Sequence, residues 1–448
     1  MQPGDLPRKL GLLDASALVV GIVIGSAVYI VPRTVAQLLP SAGWILAAWI
    51  VAGALSLLGA LAFAELGAML PDTGGQYVYL REAYGPLWGF LWGWALLLAI
   101  RSGGSAALSV GFSLYLGHFV PLSPLQAKLV SVAIVGLFTW VNYRGVRVGA
   151  AVNNVFTFLK VAGLVSLIGL AFGSGQPRAL EWSAPGNFSW SSFGVAMIAC
   201  FWANQGWFSM SIVAGEIRNP QRNIPLALGG GVAVATTLYV LANLAYLWVL
   251  PISQIAASPR VAATMTERVV GPGGAALVSL IILISIAGAL HGGILTGPRA
   301  YFAQARDGLF FKVFSRVHPR HQTPAPAILL QGAWAVVLAA SGTYQNLFQY
   351  VIFVSWIFYG LTVLAVPILR RRHPEWARPY KMWGYPVTPV IFLAATAVFL
   401  VNAAITKPGP SLFGTAVLAA AIPLYYLWRG SRRAAAPAAT AAAVPHTD

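Results

Sequence analysis

The sequence predicts an all-α membrane protein with twelve transmembrane helices. The 448-residue chain is 58% hydrophobic and only 9% charged, whereas a soluble domain carries roughly 25% charged residues. Its apolar residues fall into repeated runs of roughly 20, the length at which a helix crosses a bilayer. Strands of a membrane β-barrel would instead read as alternating segments of about 10 residues.

Taken in order, the runs cover residues 12–37, 42–70, 86–116, 126–143, 150–173, 191–217, 224–250, 273–304, 325–341, 346–369, 386–405 and 410–428. Pro40, Pro71, Pro86, Pro121, Pro225, Pro272, Pro324 and Pro386 stand near their ends. Proline lacks an N–H and suits only the first turn of a helix, so these positions mark starts and stops. The N-terminus is short and polar and passes directly into the first run, with no cleavable signal pattern. From Arg429 the chain is Ala/Pro-rich and polar at its end, so 429–448 reads as a disordered tail.

The net charge is +17, and its distribution explains it. With twelve spans both termini share one side, and about twenty of the Lys and Arg residues fall there against about six opposite. The first group includes Arg8, Lys9, Arg144, Arg218, Arg299 and Arg370 to Arg372; the second includes Arg33, Lys128, Arg260 and Arg268. The excess of cations on cytoplasmic loops puts both termini in the cytoplasm, in the inner (plasma) membrane. Basic residues spread over loops exclude a nucleic-acid partner and leave the bilayer, with some attraction to anionic lipid. Cys200 is the one cysteine, so the chain can form no internal disulfide or cysteine-based metal site. No clustered His/Asp/Glu set, P-loop or Ser/His/Asp set is present. An enzyme, a cofactor, a metal and ATP-driven transport are therefore not expected, and a channel would show repeated pore motifs that are absent.

Two runs are interrupted. In "VVGIVIGSAVYIVP", residues 19–32, Gly25, Ser26 and Ala27 sit near the middle of the first run. Small residues also let membrane helices pack closely, and on this run alone that reading stands beside an interruption. The sixth run, "MIACFWANQGWFSMSIVAGEIRNP", carries Asn204, Gln205 and Gly206 at its centre. Two adjacent amides at the midplane must face a cavity or protein partners. If spans 1–5 and 6–10 are two repeats, the interruptions correspond, which is the sequence pointer to a transporter's binding site. An unwound turn frees N–H groups at the start of the half-helix near Ser26 and carbonyls at the end of the half-helix near Ile24. The first suit a carboxylate and the second an ammonium, the two charged groups of an α-amino acid.

Four stretches then carry a family resemblance: "VGIVIGSAVYIVP" (20–32), "AELGAMLPDTGGQYVYLREAYGP" (64–86), "EIRNPQRNIP" (216–225) and "ILTGPRAYFAQARDGLFF" (294–311). The chain resembles the amino acid–polyamine–organocation superfamily, within it the L-type amino acid transporter branch. The resemblance implies a five-plus-five inverted repeat with helices 1 and 6 unwound at the midplane. Residues 12–173 would form the first repeat, 191–369 the second, and 386–428 the last two helices. It implies exchange or uptake of amino acids by alternating access. The backbone at Ile24, Gly25, Ser26 and Ala27 would hold the substrate carboxylate. Carbonyls at Ile22, Phe201 and Asn204 would hold the amino group, with Ala203 and Gln205 also at the substrate and Trp202 closing over it. Ala27 replaces the motif's last glycine, and Gln205 stands where the family often has a small residue. A pocket narrowed by Gln205 favours small or polar neutral amino acids. No cysteine lies between Ser102 and Lys128, where the family attaches a heavy subunit, so no disulfide-linked partner is expected.

Three ionisable residues lie within spans: Lys160, Arg101 and His291. Such groups are functional hypotheses by default. Lys160 either snorkels to an interface or points at the unwound part of span 1 or at span 8; in sodium-coupled relatives a cation bridges spans 1 and 8, and the resemblance favours the second reading, with the Lys160 ammonium taking over that role and transport sodium-independent. A proton-coupled importer working through Lys160 or His291 is the alternative. Arg101 faces the vestibule or snorkels to an interface. His291 either senses pH or sits neutral and hydrogen-bonded. Glu65, Glu216 and Asp14 lie near helix ends and are read as partners for nearby cations or helix ends in one gate state.

Overall fold

The computed structural model describes residues 6–173, 180–182, 188–341, 344–406 and 408–435. Among them, eight helices are long and apolar enough to cross a membrane, a bent pair makes a ninth span, and three shorter apolar helices complete the pattern. Helices stand at all the places the apolar runs predict. Span 1 is α1 (Leu12–Val23) and α2 (Ala27–Leu38); span 2 is α3 (Ala42–Met69). A short helix α4 (Gln76–Tyr84) precedes span 3, which comprises α5 (Pro86–Ala95), a π-helical turn (Leu96–Arg101) and α6 (Ser102–Leu116). Spans 4 and 5 are α7 (Pro124–Tyr143) and α8 (Val146–Gly173). Span 6 is α9 (Trp190–Ala203) and the short α10 (Ser209–Ile212), and span 7 is α11 (Pro220–Val249). Two connecting helices, α12 (Ile252–Ala257) and α13 (Val261–Val270), lead to span 8, α14 (Gly274–Thr296) with α15 (Pro298–Arg306). The last four spans are α16 (Ala325–Ser341), α17 (Tyr344–Arg372), α18 (Val387–Thr406) and α19 (Pro408–Ala435). Helix α19 runs past the predicted end at 428, and 436–448 lie outside the described residues.

Local chemistry sets the ends. At α7, Ser123 Oγ accepts from the Gln126 N–H at 3.3 Å while Gln126 Oε1 accepts from the Ser123 N–H at 2.8 Å, with Pro124 as the first helical residue. That reciprocal pair satisfies two donors that a helix start leaves over. Between helices, packing depends on small residues. A methyl group on Gly53 would strike Thr236 of α11, and one on Gly332 would strike Thr139 of α7.

The packing partners follow the five-plus-five arrangement. Span 2 lies on span 7, span 3 on span 8 and span 4 on span 9, each pair mapping onto itself when spans 1–5 and 6–10 are exchanged. Span 5 against span 8 is matched in the same way by span 10 against span 3. Spans 1 and 6 lie at the centre, where each is broken.

The end of the molecule that carries the N-terminus is interlocked. Leu10 pairs with Ile217 in an isolated parallel bridge. The Lys9 and Leu10 N–H groups donate to the Glu216 carbonyl at 2.8 and 2.9 Å. Arg299 Nε donates to Glu216 Oε1 at 2.7 Å, both side chains being fully buried. Arg370 pairs with Glu65 at 2.6 Å, and Tyr77 and Arg81 both hold Asp307. Asp14 accepts from the Gly11 N–H and from Asn154.

Candidate functional site

Helix α1 stops at Val23 and α2 begins at Ala27, with a 42° bend between them. Ile24 takes φ −72°, ψ 88°, which no helix continues through. Span 6 breaks after Ala203 and resumes at Ser209. Gly206 makes that turn with φ +108°, and a Cβ there would lie 2.7 Å from Ile22 Cγ2. Only glycine suits both the left-handed backbone and the approach to span 1.

A cavity of about 480 Å³ lies against both breaks. Gly25, Ser26 and Ala27 line it from span 1, with Ile22 beside them. Trp202, Ala203, Gln205 and Gly206 line it from span 6. Arg101 and Ser105 contribute from span 3, and Ser355 and Tyr359 from span 10. The cavity reaches the exposed Ile30 and Leu114, away from the interlocked end. None of its described lining residues is acidic. A methyl on Gly25 would meet no close neighbour and would stand free in the cavity.

The two half-helix ends of span 1 are treated differently. Lys160 Nζ donates to the carbonyls of Gly21 (2.6 Å), Ile24 (3.0 Å) and Ser285 (3.1 Å). One ammonium on span 5 thus joins the end of α1 to span 8, with all three of its protons placed. Ser285 Oγ also donates to the Ile24 carbonyl at 3.2 Å. Tyr239 Oη lies within hydrogen-bonding reach of two carbonyls, Val23 (2.6 Å) and Ala203 (3.2 Å), and so sits between the two breaks. At the carbonyl end of α1 the oxygens of Gly21, Val23 and Ile24 are therefore taken by protein. At the other half, Ser26 makes no side-chain cap, and the first N–H groups of any helix lack an intrahelical acceptor. Those donors border the cavity, with the positive end of the helix dipole behind them.

Several positions differ from the sequence expectation. Ile24 does not line the cavity and cannot hold a carboxylate, because its N–H donates to the Val20 carbonyl at 2.9 Å while its carbonyl is taken by Lys160 and Ser285. Phe201 is packed against Trp356 with ring centroids 4.9 Å apart, and it does not line the cavity. Asn204 is buried and its amide donates to Cys200 at 2.9 Å within its own helix end. Of the adjacent amides, Gln205 is the one at the cavity, and its Nε2 has no hydrogen-bond partner. His291 is fully buried beside Phe138 and Phe156. Neither of its ring nitrogens has a partner, so the expected hydrogen bond is not made.

Arg101 is resolved in favour of the cavity. It ends the π-helical turn of span 3, a bulge that turns its side chain inward. Its guanidinium donates to Ser209 of span 6 and lies 5.0 Å from the Phe208 ring centroid, and its Nε is unpaired. Sequence reasoning missed Tyr239, Ser285 and the π-turn. Tyrosines and serines are ordinary within spans, and no pattern in 96–101 marks the extra residue of a bulge.

Comparison with known proteins agrees with this geometry. A family model described as amino acid permease matches residues 10–428. The human b(0,+)-type amino acid transporter 1 is 34% identical over 413 residues, covering 90% of this chain and 84% of that protein. The serine/threonine exchanger SteT of Bacillus subtilis (strain 168) is 31% identical over 428 residues, covering 95% and 98%. The human cystine/glutamate transporter is 30% identical over 433 residues, covering 95% and 86%.

Proposed function

The chain belongs to the amino acid permease family, in the amino acid–polyamine–organocation superfamily, and from that premise we propose a sodium-independent exchanger of neutral L-amino acids. Amino acid transport itself follows from the family, whose members are transporters and not enzymes. The finer reading rests on one observation: the Lys160 ammonium occupies the oxygens of Gly21, Ile24 and Ser285 between spans 1 and 8. A fixed positive charge there does the electrostatic work of a bound cation without needing one from solution.

The substrate carboxylate docks on the N–H groups of Ser26 and Ala27 that open α2, beside Gly25, whose own N–H donates to the Val23 carbonyl at 2.8 Å. Its amino group turns toward the span 6 break, with Ile22 and Ala203 alongside, and Trp202 covers it from the side away from the interlocked end. Polarity selects the side chain more than size does. Gln205 brings an amide to the cavity wall, its Nε2 buried and unpaired, and about 480 Å³ exceeds the need of a small amino acid. Arg101 in the wall disfavours cationic substrates.

Alternating access requires the interlocked end to open. In this reading that end is cytoplasmic, with both termini inside the inner membrane. The layers joining Leu10 to Ile217 and Glu216 to Arg299 then separate while the far side closes on Trp202. We expect no disulfide-linked heavy subunit, since the one cysteine, Cys200, is buried.

Counterflow in proteoliposomes tests this. Uptake of labelled serine or alanine should require an unlabelled neutral amino acid inside. Accumulation in empty vesicles under a pH gradient would replace exchange with the proton-coupled alternative, working through Lys160 or His291.

A further inference from the structure

A second cavity lies far from the breaks, at the interlocked end. Its volume is about 340 Å³, space for roughly ten groups the size of a water or a methylene. Phe90 and Trp94 of α5 form one wall, Phe310 and Phe311 after α15 another, and Leu427 and Trp428 of α19 a third. Ring contacts hold the walls in place. Phe90 stacks on Trp94 at 5.8 Å and meets the buried Tyr425 at 5.5 Å, while Phe311 meets Trp428 edge-on at 4.3 Å. Phe311 and Leu427 remain exposed, so the groove is open to the surface of a spanning helix, which faces lipid tails.

The mouth of the groove is basic. Lys312 follows Phe311 directly, Arg316 stands four residues further on, and both are exposed. Neither 308–318 nor 424–435 contains an acidic residue. The nearby Asp307 is taken by Tyr77 and Arg81. An apolar slot rimmed by aromatic residues, with unopposed cations at the headgroup level, matches a lipid with an apolar chain and a negative head. We propose that this groove is a binding site for one anionic phospholipid. An acyl chain lies between Trp94, Phe311 and Trp428, and the phosphate sits at Lys312 and Arg316.

The test uses the full chain in mild detergent and native mass spectrometry, with dioleoylphosphatidylglycerol and dioleoylphosphatidylcholine as probes. One phosphatidylglycerol should be retained about tenfold more strongly than the phosphatidylcholine of equal chains. Removing each surface cation should cost about fivefold, so the exposed-site double variant Lys312→Gln/Arg316→Gln should erase the preference. Leu427→Trp, which fills the slot, should lose both lipids. Equal retention of the two lipids by the natural chain would overturn the proposal, as would a double variant that keeps the preference. Retention of phosphatidylglycerol by folded Leu427→Trp at the natural level would also overturn it, by placing the acyl chain elsewhere.

Discussion

The breaks in spans 1 and 6 come from different chemistry. In span 1 the chain is opened by weak helix formers, and protein side chains then take the freed carbonyls: Lys160, Ser285 and Tyr239. In span 6 a left-handed glycine makes the turn, and the segment is held from outside by Arg101 on Ser209. The first break is pinned by a charge and leaves its N–H side to the cavity. The second is pinned by backbone geometry and leaves Gln205 there. A broken membrane helix is tolerable only where its polar groups are satisfied, and the groups left open are the ones substrate can use.

The largest effect should come from span 1. Lys160→Ala strands the Gly21 carbonyl, at roughly 1–3 kcal/mol, and removes the charge that joins α1 to span 8. We expect a marked fall in the melting temperature of the purified protein. Exchange should fall at least about 100-fold, equivalent to roughly 2.7 kcal/mol. Next comes the continuation of span 6. Glu216→Ala leaves the Arg299 charge buried and unpaired, which should cost roughly 3–5 kcal/mol and show in the same melt.

The two glycines sharpen the contrast. Gly206→Ala meets both the backbone conformation and Ile22, so it should cost about 1–3 kcal/mol and lower the exchange rate. Gly25→Ala meets only the Val23 carbonyl oxygen, at 4.0 Å, and adds a methyl at the cavity. It should leave the melting temperature unchanged and raise KM for the substrate. Equal effects at the two positions would remove the distinction between a strained turn and an open one. Tyr239→Phe should be milder still, losing the hydroxyl between the breaks at about 1 kcal/mol, read as a small drop in melting temperature with exchange retained.

Much of the architecture was legible because the bilayer imposes a length on each apolar run, and proline marks the ends. The breaks were legible from Gly25–Ser26 and Asn204–Gly206, where weak helix formers and amides interrupt an apolar run. Lys160 was legible as a charge without an obvious partner on its own helix. What completes the site was not. Tyr239 and Ser285 act by reaching another span, and only tertiary packing decides which of many such residues does so. Asn204 and Gln205 are adjacent in sequence, yet the turn sends one into its own helix end and the other to the cavity. The π-turn that aims Arg101 has no local signature, since an inserted residue changes the phase of a helix without changing its composition.

The central claim is that the Lys160 ammonium stands where a bound cation would otherwise be needed. Counterflow in proteoliposomes with sodium replaced by choline on both sides tests it most directly. The account predicts an exchange rate indistinguishable from that in sodium for the natural protein, and none for Lys160→Ala. A natural protein whose exchange collapses in choline would contradict it.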